Sequence, residues 1–173
     1  NLKTQEIKNF NNRDCEFDYR NSFFKKNRDW LIVSANLIFE KGNKNELIKI
    51  MNEKINYRKQ TQPLEFPNAG SIFKNFPLEK SSQELKILAV QNKVVKLDPF
   101  LVIPTAFILN ECGLKGKEIG GAKISEKHPN FIVNHNNAKA QDVIDLISFA
   151  KDTVYEKFNV VLEEEIKIIK NKN

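Results

Sequence analysis

KAQDVIDLISFAKDTVYEKF, residues 139–158, carries its apolar side chains at helical spacing. Val143, Ile147, Ala150, Val154 and Phe158 fall on one stripe, while Asp142, Asp145, Asp152 and Glu156 lie off it. The period changes on either side. From Val160 to Ile169 the chain alternates in twos, with Val160, Leu162, Ile166 and Ile168 on an apolar face and Val161, Glu163, Glu165 and Lys167 on the other. Upstream, residues 131–134 read as a strand, preceded by a loop and strand punctuated by Gly113, Gly116, Gly120 and Gly121. A shorter helix is expected to start with Pro104 in its first turn and to stop at Gly113, which tolerates the left-handed conformation. NAGSIFKN, Asn68–Asn75, reads as a turn running into a short strand. Strands mixed with two helices after residue 68 give an α+β class.

Working outward, residues 29–40 are expected to form a strand, with Leu31, Val33, Ala35, Leu37 and Phe39 sharing a face. A turn at Lys41-Gly42-Asn43 leads into a helix with Asn43 as its N-cap and Glu46 placed for a capping box. Leu47, Ile48, Met51 and Ile55 form its stripe, and Pro63 sets its latest end. The segment from Leu78 to Val102 is harder to read and contains strand-like pieces such as Lys93–Leu97.

Composition narrows the class. A chain of 173 residues with 40% hydrophobic content supports one ordinary domain or two small ones. No run approaches the roughly 20 apolar residues of a membrane span; the longest, Phe100–Leu109, is broken by Pro104. Asn1–Phe10 has no signal-peptide pattern, so a soluble cytoplasmic protein is expected, with no membrane partner. Met51 is the single methionine and the chain starts at Asn1, which points to a piece of something longer. Cys15 and Cys112 read as two free thiols, and with His128 and His135 they match no zinc spacing, so no metal is expected. The net charge of +6 favours an anionic partner without naming it. No basic face interleaved with aromatics is legible, which argues against nucleic acid.

Four stretches in order carry a family signal: CEFDYRNSFFK (Cys15–Lys25), NAGSIFKN (Asn68–Asn75), GLKGKEIGGAKISEKHPNFIVN (Gly113–Asn134) and the closing FNVVLEEEIKII. Together they resemble the C-terminal portion of the UDP-N-acetylenolpyruvoylglucosamine reductase family. The resemblance implies an FAD-dependent, NADPH-using enzyme that reduces UDP-N-acetylglucosamine enolpyruvate to UDP-N-acetylmuramate for peptidoglycan. It implies that residues 1–62 complete a flavin-binding domain and that 63–173 form a substrate domain. The family's glycine-rich flavin-diphosphate segments match positions upstream of Asn1.

The resemblance also gives roles to residues that read blandly by themselves. Tyr19 and Arg20, locally part of a polar segment with a surface arginine, would lie next to the flavin, and Arg20 would stabilise charge on the substrate. Its guanidinium stays protonated and grips carboxylates with two parallel bonds. Ser71, locally a turn serine with no legible Ser-His-Asp arrangement, would donate a proton to the substrate carbon. Glu165, locally one of three acids at a strand end, would partner Arg20 at the enolate. Lys59, Asn75, Lys115 and His128 would contact the substrate, the lysines as point charges on its diphosphate. The sequence departs from the family where the proline expected after Asn75 is delayed to Pro77. A competing expectation is a catalytically silent nucleotide-sugar-binding module that lacks the flavin half.

Overall fold

A computed structural model describes residues 1–169. The chain divides into two compact units, Asn1–Leu47 and the part from Ile48 onward, with the division inside the helix Lys44–Thr61. In the first unit Phe10 meets Phe23, Phe24 and Trp30, each at 5.1 Å between ring centroids. Helix α1 (Phe23–Lys26) starts under Ser22, whose hydroxyl oxygen accepts the Lys25 N–H at 3.4 Å.

The strand expected over residues 29–40 does not form. Residues 31–40 have no regular structure, and Leu31, Ile32, Val33, Leu37, Ile38 and Phe39 are exposed. Alternation defines two faces, but a strand also needs a neighbour to exchange backbone hydrogen bonds, and no described strand pairs with this run. Helix α2 (Lys44–Thr61) follows as expected. The Asn43 side-chain oxygen accepts from Asn45 N–H at 2.9 Å and Glu46 N–H at 3.3 Å, and the helix stops short of Pro63.

From Ile48 on, the elements are β1 (Asn68–Ser71), β2 (Phe76–Pro77), α3 (Gln83–Gln91), β3 (Lys96–Leu97), β4 (Leu101–Ile103), α4 (Thr105–Glu111), β5 (Glu118–Ile119), β6 (Ala122–Ile124), β7 (Phe131–Asn134) and α5 (Ala140–Phe158). The architecture is α+β. An antiparallel sheet runs in the order β1-β7-β6-β5, and a smaller one in the order β2-β4-β3. Helix α5 buries Ile147, Ala150, Val154 and Phe158 of the stripe its spacing announced, with Val143 at the margin, and Leu146 is buried beside them. Asp142 opens that helix by accepting the Lys139 N–H at 2.9 Å, and Asn159 closes it at φ +52. Helix α4 keeps its expected limits between Pro104 and Gly113, the latter at φ +69.

Two sequence expectations shrink. The strand-like piece Lys93–Leu97 is reduced to β3, and the stretch before it contains α3, announced by Ser82, whose hydroxyl accepts the Leu85 N–H at 3.3 Å. The final strand from Val160 is reduced to a single bridge between Glu164 and Phe73. Its parity still holds at the start, with Val160 and Leu162 buried and Val161 exposed. No helix among the described residues is long and apolar enough to cross a membrane.

Gly121 sits where β6 begins under the loop that leads to α5. Its carbonyl accepts from His135 N–H and Asn136 N–H, both at 3.0 Å. A Cβ there would lie 2.1 Å from the Asn136 carbonyl oxygen and 2.5 Å from the Ala138 nitrogen. Gly121→Ala is therefore expected to destabilise this unit by about 1–3 kcal/mol through overpacking. Urea denaturation checks this as a lower midpoint with an unchanged slope.

Candidate functional site

Ser71 owes its setting to local turn chemistry. Asn68 accepts the Gly70 N–H at 2.9 Å through its side-chain oxygen and donates its amide to the Phe66 carbonyl at 2.9 Å and the Pro63 carbonyl at 3.2 Å. Gly70 takes φ +81 with open space around it, and the β1–β7 register slips between Asn68 and Ser71. That combination is a glycine bulge, which re-aims the next side chain. Ser71 emerges half-buried, opposite Phe131.

The next three residues are held on two sides. On one side, Asn130 accepts the Ile72 N–H at 2.8 Å through its backbone carbonyl. Its buried carboxamide accepts the Phe73 N–H at 3.0 Å and donates to the Phe73 carbonyl at 2.9 Å. On the other side, Glu165 N–H donates to the Ile72 carbonyl at 2.7 Å, and Lys74 N–H to the Glu163 carbonyl at 2.9 Å. The Lys74 carbonyl accepts the hydroxyl of buried Thr105 at 2.5 Å, and Thr105 N–H donates to the Asn75 side-chain oxygen at 3.3 Å.

Ser71, Asn75 and Glu165 therefore share one neighbourhood of this unit. The three acids that look alike in sequence differ here. Glu163 pairs with Lys74, and Glu164 pairs with Lys151 at 2.8 Å. Burial pushes the Glu164 carboxyl up, but the Lys151 ammonium and a backbone hydrogen bond outweigh it and hold the carboxyl below its ordinary range. Glu165 is half-buried beside the residue that follows Ser71.

A second neighbourhood gathers positive charge. Lys127 donates to the Lys59 carbonyl at 3.1 Å and pairs with Glu65 at 3.2 Å, which ties the end of α2 to the loop between β6 and β7. His128 follows in that loop, its N–H donated to the Ser125 hydroxyl at 3.2 Å and its ring edge-on to Phe131 at 4.8 Å. The imidazole Nδ1 is buried without a hydrogen-bond partner. Burial pushes the imidazole below its ordinary value near 6.5; a backbone hydrogen bond acts the other way, and the charges of Lys96 and Lys115 add to the lowering. Lys115 is exposed on the loop after α4. Such a group of cations around a neutral imidazole suits an anion.

Arg20 and Tyr19 belong to the first unit. Asp18 and Asn21 exchange backbone bonds at 3.2 and 3.0 Å and close a turn around the pair. Arg20 adopts φ +54, left-handed for a non-glycine residue, and its guanidinium lies 5.0 Å over the Tyr19 ring. Strain of this kind costs on the order of 1–3 kcal/mol and concentrates at functional sites. Cys15 and Cys112 are free thiols.

Sequence reasoning missed Asn130, Thr105, Lys127 and Lys96. The contacts of Asn130 and Thr105 bridge 57 and 31 residues, so no local spacing reveals them. Lys96 lies in the segment that sequence left unread.

The family model for the C-terminal domain of UDP-N-acetylenolpyruvoylglucosamine reductase matches residues 62–169. The chain is 41% identical over 166 residues to the UDP-N-acetylenolpyruvoylglucosamine reductase of Fervidobacterium nodosum, covering 96% of this chain and 46% of the relative. It is 38% identical over 161 residues to the same-named protein of Anoxybacillus flavithermus, covering 93% and 45%. The chain thus spans about half the length of these curated relatives. A crystal structure of the reductase from Thermus caldophilus aligns at a TM-score of 0.49 with 29% identity, covering 74% of this chain and 36% of that one.

The lowered imidazole makes a pH prediction. The unfolded chain takes up the His128 proton near pH 6.5 while the folded chain still resists it. More protons on the unfolded state means stability falls with falling pH. This loss begins near 6.5 and continues down to the lower folded value. Urea midpoints of wild type and His128→Gln, compared from pH 7.5 downward, are expected to show a steeper acid-side decline in the wild type.

Proposed function

The chain belongs to the UDP-N-acetylenolpyruvoylglucosamine reductase family, and we propose that it forms the substrate side of a cytoplasmic FAD- and NADPH-dependent reductase. The reaction is reduction of the enolpyruvyl group of UDP-N-acetylglucosamine enolpyruvate to UDP-N-acetylmuramate, a step of peptidoglycan synthesis. The observation that carries this reading is the hydrogen bond from Glu165 N–H to the Ile72 carbonyl. It sets the backbone of Glu165 beside the residue that follows Ser71.

The residues of this chain fit the reacting side of a flavin better than its diphosphate. Arg20 offers a permanent cation on a fixed turn. Gly120 and Gly121 do not form a phosphate cradle: a Cβ there would strike Asp142 or the backbone of Asn136 and Ala138, so those two serve internal packing. When bound, the reduced flavin supplies the hydride. Residues up to about 62 would serve the flavin side, and those from 63 the substrate.

Each residue then has a bounded task. Lys59, Lys115 and His128 hold the nucleotide-sugar diphosphate, with the Asn75 amide as a further contact. Glu165 acts at the enolate formed as hydride reaches the terminal alkene carbon, a role that the family resemblance also gives to Arg20 of the first unit. Ser71 gives its hydroxyl proton to the adjacent carbon. A serine is a weak acid in water, so this step depends on a prepared electrostatic setting and on aim.

A second reading is a nucleotide-sugar-binding module without redox activity. Flavin absorbance of the purified chain separates the two. With Gly120 and Gly121 taken up by internal packing, substoichiometric FAD is expected. A stoichiometric yellow protein would mean that this chain holds the flavin by itself.

The test of mechanism is Ser71→Ala in a full-length reductase containing this chain. Stopped-flow bleaching by NADPH is expected to keep its rate, because that half needs no serine proton. Recovery of flavin colour with the enolpyruvyl substrate is expected to slow by about 10²- to 10⁴-fold, the usual cost of losing a positioned acid. Equal slowing of both phases would reassign Ser71 to a structural role.

A further inference from the structure

The β1–β7 ladder ends at Ser71, paired with Phe131. Ile72 and Phe73 come next, buried to 1% and 2% exposure but outside any strand. A buried stretch of this kind must find partners for its backbone N–H and C=O groups elsewhere. One residue supplies three of them. Asn130 takes the Ile72 N–H with its main-chain carbonyl, and its carboxamide closes a two-point grip on the Phe73 N–H and C=O. Its amide thereby stands in for the strand residue that β7 does not provide at this point, and it is itself 4% exposed. The grip sits one residue away from the serine, on the far side of a bulge whose Gly70 leaves the preceding backbone loosely enclosed.

We infer that Asn130 is a positioning residue for the protonation step: its carboxamide fixes Phe73, and so the direction in which Ser71 presents its hydroxyl to the substrate carbon. The inference rests on the reading of Ser71 as proton donor. In that step the electron pair of the enolate forms the new C–H bond, the Ser71 O–H bond breaks, and the serine oxygen regains a proton from water. The carbon that receives the proton becomes a stereocentre, because it carries a carboxylate, an ether oxygen, a methyl group and the new hydrogen. An acid held in one direction delivers to one face. A loosely held acid leaves solvent to protonate from either face.

The experiment uses a full-length reductase containing this chain, with Asn130→Ala, Asn130→Asp and Ser71→Ala in parallel. Asn130→Asp keeps the shape and the acceptor for the Phe73 N–H and replaces the donor to the Phe73 carbonyl with a carboxyl oxygen, so it carries the test if the alanine variant does not fold. Asn130→Ala is expected to slow the second half-reaction by about 10- to 100-fold, the scale on which small misplacements act. Flavin bleaching by NADPH and KM for the enolpyruvyl substrate should hardly change. Asn130→Asp is expected to lie between wild type and Asn130→Ala. Product formed by either variant in deuterated water should carry both configurations at the labelled carbon. A folded Asn130 variant that protonates at the wild-type rate and yields a single configuration, while Ser71→Ala is slow, overturns the inference and leaves the serine reading intact. An unslowed Ser71→Ala overturns the serine reading itself, whatever the Asn130 variants do.

Discussion

The part of the chain from Ile48 onward is organised around the need to satisfy the backbone of Ile72, Phe73 and Lys74 where no regular strand can do it. Their three N–H groups go to Asn130 O, Asn130 Oδ1 and Glu163 O, and their three carbonyls to Glu165 N–H, Asn130 Nδ2 and the Thr105 hydroxyl. Four distant parts of the sequence are thereby fixed to one another: the start of α4, the entry to β7, the acidic tail, and the segment after Ser71. The ion pairs Lys74–Glu163 and Lys151–Glu164 lie around this frame. Partly exposed pairs are worth little, about 0–1 kcal/mol each. The hydrogen bonds set the register, and the pairs guard it.

The same frame separates two kinds of chemistry. On the Ser71 side, the acids Glu163 and Glu164 are paired with Lys74 and Lys151. On the His128 side, a desolvated imidazole feels the charges of Lys96 and Lys115, and both effects lower its affinity for protons. A neutral imidazole keeps its hydrogen-bonding capacity without adding to the repulsion among the lysines, and a bound anion would offset the lysine charges that lower its proton affinity.

Helices were legible in the sequence because their signals are local. The stripe from Val143 to Phe158, the Asn43 cap, and the Pro104 and Gly113 limits are all decided within a few residues. Strands were less legible because pairing is not local. The alternation at 31–39 has no described partner, and Val160–Ile169 faces a segment held on its other side by a side chain rather than by a strand. At the candidate site, Ser71, Asn75 and Glu165 were legible as motif residues, and Lys115 and His128 as polar positions in a loop. Asn130 lies within the third motif without a local signal of its role, because its work is done on a residue 57 positions away. Helix α3 left a signal that went unread, since Ser82 followed by Leu85, Leu88 and Ala89 has the spacing of a capped amphipathic turn.

The bridge between Phe73 and Glu164 has a consequence for biosynthesis. The ribosome makes Lys74 89 residues before Glu163, the residue whose carbonyl it needs. A nascent chain that has reached α5 already holds Asn130 and can form the sheet, yet the Ile72 carbonyl and the Lys74 N–H must wait for the acidic tail. Messenger damage or stalling in that interval would release a polypeptide with a folded sheet and two backbone polar groups still unpaired, a species that proteases recognise by its local opening. Translation order thus makes Glu163 and Glu165 the last partners that the backbone after Ser71 acquires.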